Sequence, residues 1–153
     1  MNWIILVFLI WLGTIGLATV AISYYIKKFQ RSDVAIACYV IYLAISQILA
    51  AKVGDFSIGS FVLEAPVAVL IFPFTFQITD MVNEYFGQKE THRMILIAFI
   101  TQILMSFFLW LSIEVPPTSW WPNQVVWAEI FGQTIRITAA SWISFLITEN
   151  LDA

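Results

Sequence analysis

The chain has 153 residues, of which 61% are hydrophobic and only 11% are charged, and its net charge is −3. A soluble domain is usually about a quarter charged, so these charges are too few to cover a water-exposed surface, and lipid is the simplest environment for the apolar excess. The acidic balance argues against a nucleic-acid partner, and Cys38, the single cysteine, excludes an internal disulfide and a cysteine metal cluster.

Five apolar segments predict an all-α, polytopic integral membrane helix bundle that forms a single domain over residues 1–153. The predicted spans cover approximately residues 3–26, 34–51, 65–84, 94–113 and 130–148. The first span carries no charge over 24 residues, which as a helix is about 36 Å long and crosses the hydrocarbon core with some tilt. A cleavable secretory signal is rejected here because no basic segment precedes the apolar run and the run is too long.

The third predicted span is short and contains Pro66 and Pro73. Because Pro73 cannot donate its backbone N–H, we expect a kinked helix and a freed carbonyl that needs a partner from protein, water or ligand. Before this span, residues 52–59 form a polar stretch with turn signals, and residues 60–63 are interpreted as a short re-entry or strand-like link.

The basic residues predict the orientation of the chain in the membrane. With the N-terminus outside, the cytoplasmic loops hold Lys27, Lys28, Arg31, Lys89 and Arg93. Only Lys52 then falls in an outside loop, and an excess of Lys and Arg in cytoplasmic loops is the usual pattern. The tryptophan-rich loop 114–129 is therefore predicted to be external, where such a density of tryptophans is typical of a membrane interface.

Polar side chains of the third helix fall on one face. Starting at Pro73, the residues Gln77, Asp80 and Glu84 follow at spacings of four, three and four. Ionisable groups inside lipid cost roughly 2.5–3.5 kcal/mol at a helix centre, so they usually face a cavity or a partner. This face could accept the N–H donors of a polar ligand, or carry a proton or sodium ion. Alternatively, Asp80 and Glu84 lie at the cytoplasmic interface and are simply hydrated.

The fifth helix has a second polar face, which comprises Gln133, Arg136, Ala140 and Ser144. Arg136 lies roughly 9 Å below the outer end of this helix, and the alternative to a cavity role is an arginine that reaches upward to pair with Glu129 or Glu64. The heights of Asp80 and Arg136 are expected to differ by on the order of 15 Å in a core about 30 Å thick. We therefore expect the two residues to flank a shared cavity rather than to form a salt bridge.

The sequence does not favour enzyme chemistry. His92 is the only histidine and lies in a predicted cytoplasmic loop, which excludes a histidine metal site and leaves no catalytic triad at one depth. No phosphate-binding glycine loop is present, so no enzyme activity, cofactor or metal site is predicted. The aromatic residues Phe72, Phe74, Phe76 and Trp142 could stack on a flat ring, although contact with lipid is the commoner role of such side chains.

From about residue 36 to the end, the sequence resembles the queuosine precursor transporter family, also called the vitamin uptake transporter family. The matching stretches are SQILAAK (46–52), FPFTFQITDMVNEYFGQKETHRMI (72–95) and FGQTIRITAASWISFLITENLDA (131–153). The resemblance implies a multi-pass protein of the cell (inner) membrane that imports 7-cyano-7-deazaguanine, 7-aminomethyl-7-deazaguanine or queuine. Members of that family usually have six spans and the matching part supplies four, so the resemblance implies a truncated chain that lacks two C-terminal helices. The helix over residues 3–26 has no clear counterpart.

The resemblance makes the polar residues of the third and fifth helices candidate substrate contacts. The two adjacent N–H donors of a guanine-like edge suit a carboxylate such as Asp80 or Glu149, the guanine carbonyl suits Arg136 or Gln133, and an aromatic side chain suits the flat ring. The complete candidate set is Phe76, Gln77, Asp80, Glu84, Gln133, Arg136, Glu149 and Asp152.

Three functions remain open from the sequence. The first is a deazapurine transporter, with a proton or ion gradient as a candidate energy source. The second is a substrate-binding membrane subunit of an energy-coupling-factor type transporter, since direct ATP use would require a partner protein. The third is a non-transporting membrane structural protein. The expected partners are the small-molecule substrate, the lipid bilayer, and either a second copy of the chain or an energising subunit.

Overall fold

The computed structural model describes residues 3–57, 60 and 62–151, and this part of the chain contains five α-helices. The helices are α1 (Trp3–Phe29), α2 (Asp33–Leu49), α3 (Phe72–Phe86), α4 (Gln88–Glu114) and α5 (Gln124–Leu151). Between α2 and α3, two short antiparallel strands, β1 (Val53–Asp55) and β2 (Glu64–Pro66), lead into a 3-10 turn over Val67–Leu70. The predicted all-α architecture is confirmed, and the two short strands flank the predicted strand-like link.

Two of the helical segments are long and apolar enough to cross a bilayer by their length and composition, namely Ile5–Phe29 and Gln88–Glu114. Their large apolar side chains point mostly outward. Leu17 on α1 is 75% exposed, for example, and Phe108 on α4 is 63% exposed. Extended exposed apolar surface marks a surface for protein or membrane contact, and here it covers both of the longest apolar helices.

The central helix of the bundle is α2, which packs against each of the other four helices. The most tightly packed apolar cluster is contributed by four helices, with Ile26 from α1, Ala35 from α2, Ile78 and Val82 from α3, and Met94 from α4, all fully buried. Because α3, α4 and α5 all pack against α2, the interior of the bundle consists of the side chains that these three helices direct toward α2.

The basic residues gather at one end of the bundle. Ser32, just before α2, donates a hydrogen bond to Glu90 of α4 over 2.5 Å, and the Lys27 ammonium at the end of α1 lies 5.9 Å from the ring centroid of Tyr85 near the end of α3. These two contacts place four helix ends at the same end of the bundle: the end of α1, the start of α2, the end of α3 and the start of α4. Such clustering is what the predicted cytoplasmic face requires.

The segment before α3 differs from the prediction of a helix over residues 65–84. The helix begins at Phe72, and the residues before it form β2 and the 3-10 turn. Pro73 lies in the first turn of α3, where a missing N–H breaks no intrahelical bond, so it starts the helix instead of kinking it. With 15 residues, α3 is about 22 Å long, which is shorter than a hydrocarbon core of about 30 Å.

A tryptophan of α1 satisfies the backbone at this break. The amide N–H of Phe74 bonds to the carbonyl of Ile71 over 3.0 Å, not to that of Leu70. The Trp11 indole N–H donates to the Leu70 carbonyl instead, over 2.5 Å. Non-helical backbone at membrane depth is tolerated only where protein or water satisfies its polar groups. The Leu70 carbonyl, left free at the start of α3, therefore has a side chain of α1 as its partner.

Trp11→Phe should destabilise the protein by about 1–3 kcal/mol, because it keeps the aromatic ring and removes the side-chain donor of the partly buried Leu70 carbonyl. Thermal unfolding in detergent micelles measures the change. Trp110→Phe is the matched control, since Trp110 is exposed on α4 and the described residues give its indole N–H no hydrogen-bond partner. Equal losses in the two variants would contradict the assignment.

The hairpin that β1 and β2 form at the opposite end is closely packed. A Cβ atom on Gly54 would lie 3.1 Å from Val67 Cγ2, so a larger residue there would require the Val67 side chain to shift slightly. Asp55 accepts a hydrogen bond from the Ser57 backbone N–H over 2.8 Å. Hydrogen bonds from the Ser57 side chain and backbone lower the pKa of Asp55, which keeps this exposed carboxyl ionised.

Candidate functional site

The predicted polar residues of α3 lie on its exposed face. These residues are Phe76, Gln77, Asp80 and Glu84. The opposite face of the helix is buried and includes Ile78 and Val82. Gln77 accepts a hydrogen bond from the Thr19 hydroxyl of α1 over 2.7 Å. Within the described residues, the carboxylates of Asp80 and Glu84 have no hydrogen bond or ion pair, so they are available to a ligand or another protein surface.

The predicted polar residues of α5 are also exposed. Gln133 and Arg136 lie on the outer face, whereas Thr134 and Thr138 are buried on the inner face. Neither of the two ion pairs formed by described residues involves Arg136, so the alternative pairing with an outer glutamate is not observed there. Two further candidates are not described in this detail: the side chain of Glu149 and the whole of Asp152 lie outside the described residues.

The described chain does not bring the two polar faces into one hollow, contrary to the sequence prediction. Both helices pack against α2 and α4, and each turns its apolar or threonine-bearing face toward them. Because polar and packing faces are opposite on each helix, Asp80 and Arg136 both point away from the interior. The expectation that they do not form a direct salt bridge is consistent with this arrangement.

A different cavity lies where α3 and α5 approach the central helix, and we call it the α3/α5 groove. Its volume is about 160 Å³, and it is lined by Tyr39, Leu43, Gln47, Phe72, Ile95, Ser141 and Trp142. The lining combines aromatic rings with an amide and hydroxyl groups. Small-molecule sites are typically built in this way, from apolar and aromatic walls with a few polar groups that fix orientation.

Gln47 is the polar group at the floor of the α3/α5 groove. It is only 5% exposed, and its side-chain amide makes no hydrogen bond to any described residue. Unlike the amide of Gln102, that of Gln47 is not completely enclosed, so a ligand or water in the groove is its natural partner. Tyr39, about two helical turns away on α2, already shares a side-chain hydrogen bond with Thr79 of α3, which fixes that side of the floor.

Several predicted residues lie further along the two helices whose residues line the groove. From Phe72, steps of four residues along α3 lead to Phe76, Asp80 and Glu84; from Ser141, steps of four back along α5 lead to Ile137 and Gln133. Residues four apart are neighbours on a helix surface. On α3, this row ends in the carboxylates of Asp80 and Glu84, toward the basic end of the bundle. On α5, it leads toward the opposite end and reaches Gln133, three residues from Arg136.

Comparison with known protein families identifies the group to which these helices belong. The family model described as "Putative vitamin uptake transporter" matches residues 66–153, which is more than half of the chain. The chain belongs to the vitamin uptake transporter family. No curated protein and no solved structure gave a significant match.

Membership of the vitamin uptake transporter family implies a transport role in a membrane rather than catalysis. The matched region contains α3, α4 and α5, and so both walls of the α3/α5 groove. It leaves out α1 and α2, although α2 supplies the floor of the groove. The predicted resemblance to this family is confirmed.

The buried polar residues of this transporter are not evident from its charge pattern. They are Ser46, Gln47, Thr75, Thr91, Gln102, Thr134 and Thr138. All are uncharged and stand in or beside apolar runs, so a search for charged residues passes over them. Gln102 is fully buried, and neither atom of its amide has a hydrogen-bond partner among the described residues. Unlike Gln47, it lines none of the cavities described here.

Proposed function

We propose that this transporter imports a 7-deazaguanine precursor of queuosine: 7-cyano-7-deazaguanine, 7-aminomethyl-7-deazaguanine or queuine. The observation that carries the proposal is the buried, unpartnered amide of Gln47 in a groove that Phe72 and Trp142 also line. A glutamine amide can donate to the carbonyl and accept from the adjacent N–H of a purine-like edge. Aromatic side chains suit the flat faces of such a ring.

In this proposal, the exposed polar residues form further substrate-binding positions on either side of the groove. Gln133 and Arg136 receive the substrate carbonyl toward the outer end. Asp80 and Glu84, with Phe76 stacking nearby and Gln77 beside them, accept its N–H donors toward the cytoplasmic end. Eight residues separate Phe72 from Asp80, which is about 12 Å along the helix, so one ring cannot occupy the groove and touch Asp80 at once. Successive sites of this kind are typical of polar residues that mark a substrate pathway through a membrane.

Glu149 and Asp152 are proposed as further acceptors, since both follow Arg136 in the sequence, toward the predicted cytoplasmic end of the fifth span. The proposed setting is the inner membrane, with five crossings and the N-terminus outside. In a lipid bilayer, the exposed polar faces of α3 and α5 need another protein surface to separate them from the acyl chains. We propose that a second copy of the chain or an energising subunit provides it, and cross-linking from a cysteine placed at Glu84 distinguishes the two by the mass of the product.

Uptake of radiolabelled 7-cyano-7-deazaguanine tests the proposal, in cells that cannot make deazaguanines and that express the chain. Competition by unlabelled queuine and guanine defines the specificity. Purified protein in liposomes then shows whether an ion gradient alone drives uptake. Binding without transport until a membrane ATPase fraction is added would replace the proposal with the substrate-binding subunit of an energy-coupling-factor type system. Failure of the purified protein to bind any deazaguanine would refute the proposed substrate class.

A further inference from the structure

A second cavity lies at the basic end of the bundle, and we call it the basic pocket. It has a volume of about 510 Å³ and is formed where the start of α2, the end of α3 and the start of α4 meet. The residues that matter for its chemistry are Arg31, Ser32, Asp33, Lys89, Glu90 and Arg93. It is separate from the α3/α5 groove, with which it shares no lining residue.

Cations outnumber carboxylates in the basic pocket by three to two, a net charge of +1 (3 − 2). Arg31 bonds to Asp33 over 2.6 Å and Arg93 to Glu90 over 3.1 Å, and both arginine side chains are 66% exposed. Exposed pairs of this kind are weak, and each guanidinium has five donors, so both arginines keep donors for another anion. Lys89 has no ion pair among the described residues. The pocket therefore retains the capacity to bind a phosphate.

An apolar groove begins at the basic pocket and runs along the outer surface between α2 and α4. Its volume is about 490 Å³, and its walls include Ile36, Val40 and Ile41 from α2 and Ile97 from α4. It shares Asp33, Ile36 and Arg93 with the basic pocket. Since Arg93 and Ile97 are one helical turn apart, as are Ile36 and Val40, the groove follows the helix axes away from the charged end. We call it the acyl groove.

We propose that the basic pocket and the acyl groove together bind one anionic phospholipid of the cytoplasmic leaflet. The headgroup phosphate lies among Arg31, Lys89 and Arg93, and one acyl chain lies in the acyl groove. A free phosphate has no acyl chain to place in the acyl groove. A zwitterionic lipid adds a positive charge to a pocket that is already cationic. Basic pockets between membrane helices on the cytoplasmic side are known headgroup sites. This proposal is independent of the transported substrate.

Native mass spectrometry of the purified, delipidated protein tests this site with phosphatidylglycerol and phosphatidylcholine of matched chain length. We expect retention of one phosphatidylglycerol molecule and at least about tenfold weaker binding of phosphatidylcholine. The double variant Lys89→Gln/Arg93→Gln should lose at least about tenfold in affinity for phosphatidylglycerol. Lys52→Gln, which removes an exposed cation at the opposite end, should not. Both cations replaced in the double variant are exposed, so folding is expected to survive.

A second variant separates the two halves of the site. Ala37→Phe fills the acyl groove at an exposed position of its wall without changing charge, and it should weaken phosphatidylglycerol binding while the cations remain in place. Equal binding of the two lipids, or undiminished binding by Lys89→Gln/Arg93→Gln, would overturn the proposal. Inorganic phosphate that displaces the lipid at equal concentration would reduce the site to a simple anion pocket and also overturn it.

Discussion

Asp80→Asn is expected to lower uptake of a labelled deazaguanine by about 10- to 100-fold at unchanged membrane abundance. A carboxylate presents two equivalent acceptors to a pair of N–H donors, whereas an asparagine amide turns one of these positions into a donor. Loss of a hydrogen bond to a charged group costs about 1.5–3 kcal/mol, and about 1.4 kcal/mol corresponds to a factor of ten. Asp80 has no partner among the described residues to mask this effect.

The control for Asp80→Asn is Glu114→Gln, which neutralises an exposed carboxylate at the end of α4. It should leave both abundance and uptake unchanged. Immunoblotting of the membrane fraction separates lost transport from lost protein. Undiminished uptake by Asp80→Asn would remove this residue from the proposed pathway and favour the interpretation of α3 as a hydrated structural helix.

Gln47→Leu should raise the stability of the protein and weaken its binding of substrate. The residue is buried and its amide has no partner among the described residues, so a leucine of similar volume removes up to about 1–3 kcal/mol of desolvation penalty and should raise the unfolding temperature. If the substrate completes the hydrogen bonds of Gln47, the same change should weaken substrate binding by about tenfold or more. A merely structural glutamine would show the first effect without the second.

Gln102→Leu is the matched control for Gln47→Leu, because Gln102 is also buried and unpartnered but lies on α4 outside the α3/α5 groove. It should raise stability by a similar amount and leave substrate affinity unchanged. Isothermal titration with 7-cyano-7-deazaguanine and thermal unfolding of the same preparations supply both measurements. If both variants kept full affinity, the groove would not be the binding site.

The apolar runs are sufficient to predict five helices, because lipid-facing helices need uninterrupted apolar sequence. The ends are less predictable, since charged residues can extend a helix beyond the apolar run. α4, for instance, begins at Gln88 rather than at residue 94. The third segment was predicted wrongly for a physical reason. Pro73 kinks a helix interior but suits a first turn. The Trp11 indole that bonds to the Leu70 carbonyl at this helix start is 59 residues away in the sequence, so no local pattern reveals the contact.

The candidate site was less predictable than the fold. Helical spacing places Gln77, Asp80 and Glu84 on one face, and the structure shows that face exposed. Spacing within one helix does not show which neighbouring helix each face contacts, so it does not decide whether the polar faces of α3 and α5 converge. In the described chain, both faces are exposed. Gln47 was within reach of the sequence, because it is a strongly polar side chain inside an otherwise apolar span.

The contact between Trp11 and Leu70 has a consequence for biogenesis. The first helix leaves the ribosome well before its acceptor carbonyl is synthesised, since 59 residues separate the two. When the third segment enters the membrane, the Leu70 carbonyl at its non-helical start needs the Trp11 indole as a hydrogen-bond donor. Without it, the carbonyl would face hydrocarbon with no partner. The first helix is therefore already present to donate to this carbonyl when the third segment is inserted, although few of its own side chains are buried.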